Sequence, residues 1–163
     1  MIRRTLTTLV AFALLAAAAP LVHAQTDSET KAIQSYRLTM PVLQKITAAN
    51  RAFVAALKND PAAQKQLEAD DDKNDDDQQS LAAMEKKLVA MPHMSDALRS
   101  AGVSAHEYAL FEMCAFQASI VVGSEKNGQK ATSLPAGIQP ANVQFVRDHQ
   151  QDIEAMNAAM QGK

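Results

Sequence analysis

Met91, His93 and Met94 lie within four residues of one another around Pro92, two thioethers and an imidazole in one turn. Soft sulfur donors beside an imidazole are what a copper site outside the cytoplasm uses. Packing explains the same residues, because Met91 continues an apolar seam, Pro92 ends its helix and His93 caps the next. His149 offers a second chemistry. It interrupts the seam of Val146, Ile153, Met156 and Met160, where an imidazole opposite a methionine would hold a b-type haem inside a helical bundle. No Cys-x-x-Cys-His is present, so covalent haem attachment is excluded. Asn50 breaks another apolar seam, and a hydrogen bond from His149 to Asn50 or Tyr36 would satisfy these polar groups without any ligand.

Other reactive residues are scattered. Cys114 is the single cysteine, flanked by Met113 and Phe116, a setting that keeps a thiol protonated and inert. His106 and Glu112 would serve a hydrolase only if the fold gathered them into one polar pocket. The acidic run from Asp70 to Asp77 fails as a calcium loop. Counted from Asp70, its sixth position is Asp75 where glycine is needed, and its twelfth is Leu81 where glutamate is needed. It reads as a solvated connection. No phosphate loop, zinc spacing, nucleophile motif or carboxylate pair appears. No catalytic residue, metal ligand or cofactor is therefore assigned, and Met91, His93, Met94 and His149 stand as the metal candidates.

The elements that would hold these residues are helices. Ile33, Tyr36, Met40 and Leu43 recur at spacings of three and four behind Ser28, and Ile46, Asn50, Phe53 and Leu57 continue beyond Pro41. This spacing predicts one long helix kinked at Pro41, with two helices and Thr39 as cap as the alternative. Asp60-Pro61 starts a short helix reaching about Glu68. Leu81, Met84, Leu88 and Met91 form the seam of the next, and Ser95–Ser100 closes on Gly102. Ser104 and Glu107 form a capping box. Behind it Tyr108, Phe111, Met113, Cys114, Phe116, Ile120 and Val121 spread around the whole cylinder, which predicts a helix buried on every side. Residues 123–139 read as a long loop, functional or mobile. Pro140 begins a last helix.

Residues 1–24 read as a cleavable signal peptide. Arg3 and Arg4 precede an apolar stretch from Leu6 to Ala19, and Val22-His23-Ala24 supplies the small residues at the cleavage site. The stretch is shorter than the roughly 20 residues a membrane span requires. Cleavage after Ala24 leaves one domain, residues 25–163, in the periplasm or secreted, without a stable membrane anchor. With Arg3 and Arg4 gone, 18 acidic residues exceed the basic ones by about four, a balance that excludes nucleic acid as a partner.

Three fragments share a further property: Tyr36-Arg37-Leu38-Thr39-Met40, Ala101-Gly102-Val103-Ser104 leading into Glu107-Tyr108, and Asn142-Val143-Gln144-Phe145-Val146. Their combination resembles a group of small, exported, helical bacterial proteins with no assigned activity. The resemblance implies a helical fold and transfers no role to any residue. Together these readings predict an all-α, single-domain antiparallel bundle of four to five main helices around a central buried helix at about 104–122. They predict a non-enzymatic protein that binds a protein or small-molecule partner through a groove near residues 123–139. A copper or b-type haem carrier and an undetected hydrolase are the alternatives.

Overall fold

The computed structural model describes residues 27–71, 80–126, 134 and 137–162. The signal-peptide reading, most of the acidic run and most of the 123–139 loop lie outside them. The described chain is helical throughout: α1 (Asp27–Ser35), α2 (Met40–Lys58), α3 (Pro61–Asp71), α4 (Leu81–Ala90), α5 (Met94–Ala101), α6 (Ala105–Lys126), α7 (Pro140–Asp148) and α8 (Gln150–Met160). No strand occurs among the described residues.

The helix boundaries follow local chemistry. Asp60 Oδ1 accepts the Ala62 and Ala63 N–H groups at 3.1 Å and starts α3. Ser80 does the same for α4 through Ala83, and Ser104 accepts Glu107 N–H at 3.0 Å to start α6. Gly102 ends α5 in the left-handed conformation, φ 68°, which costs glycine little.

Pro41 acts differently from a kink. The expected continuous helix is two helices, α1 and α2, with Tyr36–Thr39 outside helix between them and an extended Thr39 at the N-cap position. Proline brings no N–H for the carbonyl four residues before it and crowds the preceding turn. The chain leaves helical geometry ahead of that position, and Pro41 enters the first turn of α2, where its missing N–H is harmless.

Asn142 captures the backbone freed by this break. Its Oδ1 accepts Leu38 N–H at 3.0 Å, and its Nδ2 donates to the Tyr36 carbonyl at 3.1 Å. Gln139 adds hydrogen bonds to Arg37 and to the Gln34 carbonyl. Farther along, Asn50 Nδ2 donates to the Met156 carbonyl at 3.5 Å, and Lys58 Nζ to the Gly162 carbonyl at 3.5 Å. The partners climb together along both segments, so α1–α2 and α7–α8 lie side by side and run parallel.

α6 packs against α4 and α7 and also touches α1 and α2. Ten of its residues are buried, from Tyr108 to Val122, and Phe111 is fully enclosed and meets Phe145 edge-on at 6.4 Å. Burying a side chain of that size contributes roughly 1.5–3 kcal/mol. The all-round burial expected of α6 holds for its apolar residues from Tyr108 to Ala115 and fails on one side of its second half. Phe116 and Ile120 are 42% and 52% exposed. Their neighbours α4 and α7 take two sides of the cylinder and leave this one open.

Candidate functional surfaces

The three histidines among the described residues occupy separate places. His93 Nε2 lies 2.9 Å from Asp60 Oδ2, His106 Nδ1 lies 3.2 Å from Glu85 Oε2, and His149 Nδ1 lies 3.3 Å from Asp152 Oδ2. Each imidazole faces a carboxylate of its own. Among the described residues, no three His, Cys, Asp or Glu side chains gather as a metal would need.

His93 holds the N-cap position of α5 with φ 66°, a left-handed backbone seldom adopted by residues other than glycine. Its ring reaches to the start of α3 instead of capping α5. The Ala63 N–H and then His93 hold the Asp60 carboxyl below the usual carboxylate range. Met94 is fully buried in the core and Met91 is half-buried at the end of α4. His93 Nε2 is thus engaged by a carboxylate, and one of the two thioethers is core.

His149 departs from its expected place. The last helix is interrupted there: α7 ends at Asp148, α8 begins at Gln150, and His149 lies between them with φ −119° and ψ 30°. Its ring lies against Phe145, tilted by 47°, with centroids 4.6 Å apart. The hydrogen bond expected to Asn50 or Tyr36 is absent. Asn50 is bound instead by the Tyr108 hydroxyl, which donates to its Oδ1 at 2.9 Å. The Tyr36 hydroxyl is buried without a hydrogen-bond partner, and burial, then the nearby Glu107 and Cys114, push it far above the ordinary phenol range.

Cys114 lies in the core, its thiol directed at the Ile33 carbonyl 3.7 Å away, and burial pushes it up to about 11. Glu112 is partly buried, as Glu107 and Glu125 are; burial pushes its carboxyl up to about 7, and no hydrogen bond or ion pair reaches it from the described residues. His106 and Glu112 are six residues apart on one helix, about 120° from each other around its axis. His106 is exposed and turned toward α4, so the two do not share a pocket.

Two shallow concavities stand beside Val89, which is 58% exposed. One, of about 240 Å³, is lined by Val89, Leu98, Arg99, Val103 and Ala105 among others, where α4, α5 and the start of α6 meet. The other, of about 480 Å³, follows the outer flank of α4 past Ala82, Glu85 and Lys86. They lie at the α4–α6 corner; most of residues 123–139, where a groove was expected, lie outside the described residues. Val89 was missed because it falls off the Leu81–Met91 seam. Its position about 100° from Leu88 is the signal that could have exposed it. Comparison with known proteins returns no match: no family model, no curated protein and no solved structure aligns with the chain.

Proposed function

We propose that this is an exported, non-enzymatic helical protein that binds a protein partner through the groove around Val89. Residues 1–24 would direct it to the periplasm or beyond. The observation that carries the reading is an apolar side chain more than half exposed on a helix held at its first turn and along its inner face. Ser80 caps α4, Glu29 accepts Ala82 N–H at 3.0 Å, and Leu81 and Leu88 fix its other face in the core. An exposed valine beside Leu98, Val103 and Ala105 offers an apolar anchor point with a rigid wall. Lys86 is exposed at the edge of the groove, so the complementary segment carries an apolar side chain with an acidic neighbour.

The test is site-specific photocrosslinking in the exporting cell, with the reactive residue at Ala90 and, as control, at exposed Lys45 on α2. A discrete adduct at position 90 that is absent at position 45, and lost on Val89→Asp, is the expected result. No adduct at position 90, or the same adducts at both positions, overturns the reading.

A further inference from the structure

The turn between α4 and α5 joins two helices that both line the smaller concavity at Val89. It consists of Met91, Pro92 and His93. Proline locks its own φ and confines the residue before it to extended backbone, and Met91 has ψ 129°. The direction in which α5 leaves α4 is therefore left to His93. Its φ of 66° is the one positive φ outside glycine among the described residues. Backbone of this kind persists only where its surroundings hold it.

Asp60 supplies such a hold. Its N–H donates to the Leu57 carbonyl at 3.0 Å, and its Oδ1 accepts the Ala62 and Ala63 N–H groups, so the carboxylate is fixed at the joint of α2 and α3. The other oxygen, Oδ2, meets His93 Nε2 across 2.9 Å. The His93 side chain gives α5 no cap; it reaches instead to a residue 33 positions earlier in the chain.

Beyond the turn, Ser95, Leu98 and Arg99 line the concavity that Val89 borders from α4, and Ser95 Oγ donates to the Val89 carbonyl at 3.3 Å. A turn that relaxes at His93 shifts these residues relative to Val89. Met94, Ala97 and Leu98 keep the inner face of α5 in the core, so the shift alters the groove and leaves the helix folded.

We propose that Asp60 and His93 are positioning residues of the Val89 groove: the carboxylate holds the ring, and the ring holds the left-handed turn that sets α5 against α4. The use of this arrangement rests on the partner reading of the groove. The arrangement itself is tested without a partner.

The test is the distance between nitroxide labels on Lys86→Cys and Arg99→Cys, exposed positions on the two helices, read by pulsed electron resonance. Cys114 is buried and takes no label. The parent pair is expected to give one narrow distance. His93→Ala, which removes the ring and disfavours left-handed backbone, at least doubles the width. His93→Gly also removes the ring but adopts this backbone freely, and keeps the narrow distance. Asp60→Ser still caps α3 but is too short to reach the ring. It broadens the distance beside His93 and has no effect beside His93→Gly. A narrow, unshifted distance in His93→Ala or in Asp60→Ser shows that core packing alone holds the turn and overturns the proposal. A distance as broad in His93→Gly as in His93→Ala overturns it too, because the ring would then hold something other than the turn. In the exporting cell, the adduct at position 90 falls at least threefold in Asp60→Ser and returns when His93→Gly is added. An adduct that Asp60→Ser leaves unchanged overturns the dependence of the groove on this pair. Absence of any adduct in the parent protein sinks the partner reading and leaves the label distances to decide this one, so the two fail separately.

Discussion

The Tyr108 hydroxyl donates to Asn50 Oδ1 across 2.9 Å, and both side chains are buried. The bond joins α6 to α2, and the same amide reaches the Met156 carbonyl of α8, so three helices meet at one side chain. Tyr108→Phe keeps the ring and removes only the donor, leaving Asn50 Oδ1 buried and unpaired. The expected cost is about 1–3 kcal/mol. It is read as a lower urea midpoint with an unchanged denaturant slope. Adding Asn50→Leu to Tyr108→Phe costs less than the sum of the two single changes, because both act on one bond. Full additivity would show that the bond contributes nothing.

Asn142 supports the fold by bridging to backbone. Asn142→Ala leaves the Leu38 N–H and the Tyr36 carbonyl without their partner, in a connection where no helix bond replaces it. The expected loss is roughly 2–4 kcal/mol, from two groups at about 1–2 kcal/mol each. Asn142→Asp still accepts from Leu38 but cannot donate to Tyr36, and places a charge in the core. It is therefore no better than alanine at neutral pH. Hydrogen exchange at the Leu38 amide checks the mechanism: its protection must fall in both variants by more than that of Ile46 in the middle of α2.

Much of the architecture was legible from short-range chemistry. Asp60-Pro61, Gly102 and the Ser104 cap of Glu107 place helix ends because each acts within four residues of itself. What escaped depends on distant partners. The break at Tyr36–Thr39 is held open by Asn142, about a hundred residues away in sequence, and Pro41 alone does not reveal whether it kinks or separates two helices. The exposure of Phe116 and Ile120 is a second case. Apolar residues on every side of α6 signal burial, but neighbours cover only the sides they reach. The three fragments Tyr36–Met40, Ala101–Tyr108 and Asn142–Val146 are the joints of the fold: the first and last are tied by Asn142, and the middle one caps α6 and supplies Tyr108. Of the candidate site residues, His149 sits on a helix seam by periodicity, and His93 sits at a helix start by its place after Pro92. Both occupy breaks between helices, where a ring turns to the nearest carboxylate, and spacing along the chain does not name that carboxylate.

Cys114 is expected to be inert in the folded protein. Burial pushes the thiol up to about 11, and its sulfur lies against the Ile33 carbonyl, so little thiolate exists at pH 8 and little access remains. A disulfide reagent such as dithionitrobenzoate should react at least a hundredfold more slowly with native protein than with protein in 6 M guanidinium. The native rate should fall further as unfolding is suppressed by cooling. Rapid labelling of native protein at the rate of a free thiol would place Cys114 at the surface and contradict the packing of α1 on α6.

Glu112 gives the protein an uncommon pH dependence. Burial lifts its carboxyl from the ordinary value of 4.5 to about 7. The folded state therefore binds a proton more tightly than the unfolded state does. Stability from this group is fully present below about pH 4.5, falls as the pH rises, and levels off above about 7. The fall amounts to roughly 2–3 kcal/mol at most, since a tenfold difference in proton affinity corresponds to about 1.4 kcal/mol and the side chain keeps some solvent contact. Asp60 and Glu125 act in the opposite sense, because hydrogen bonds to Ala63 N–H and to Arg147 lower their values. Their stabilisation is lost as the pH falls through their folded-state values, below the Glu112 window. Urea denaturation between pH 5 and 8 isolates the Glu112 contribution. Wild-type protein should lose stability across this range, and Glu112→Gln should remove most of that slope while matching the wild type near pH 5. A slope that persists in Glu112→Gln would assign the proton to another group and leave Glu112 ionised in the fold, already compensated by solvent.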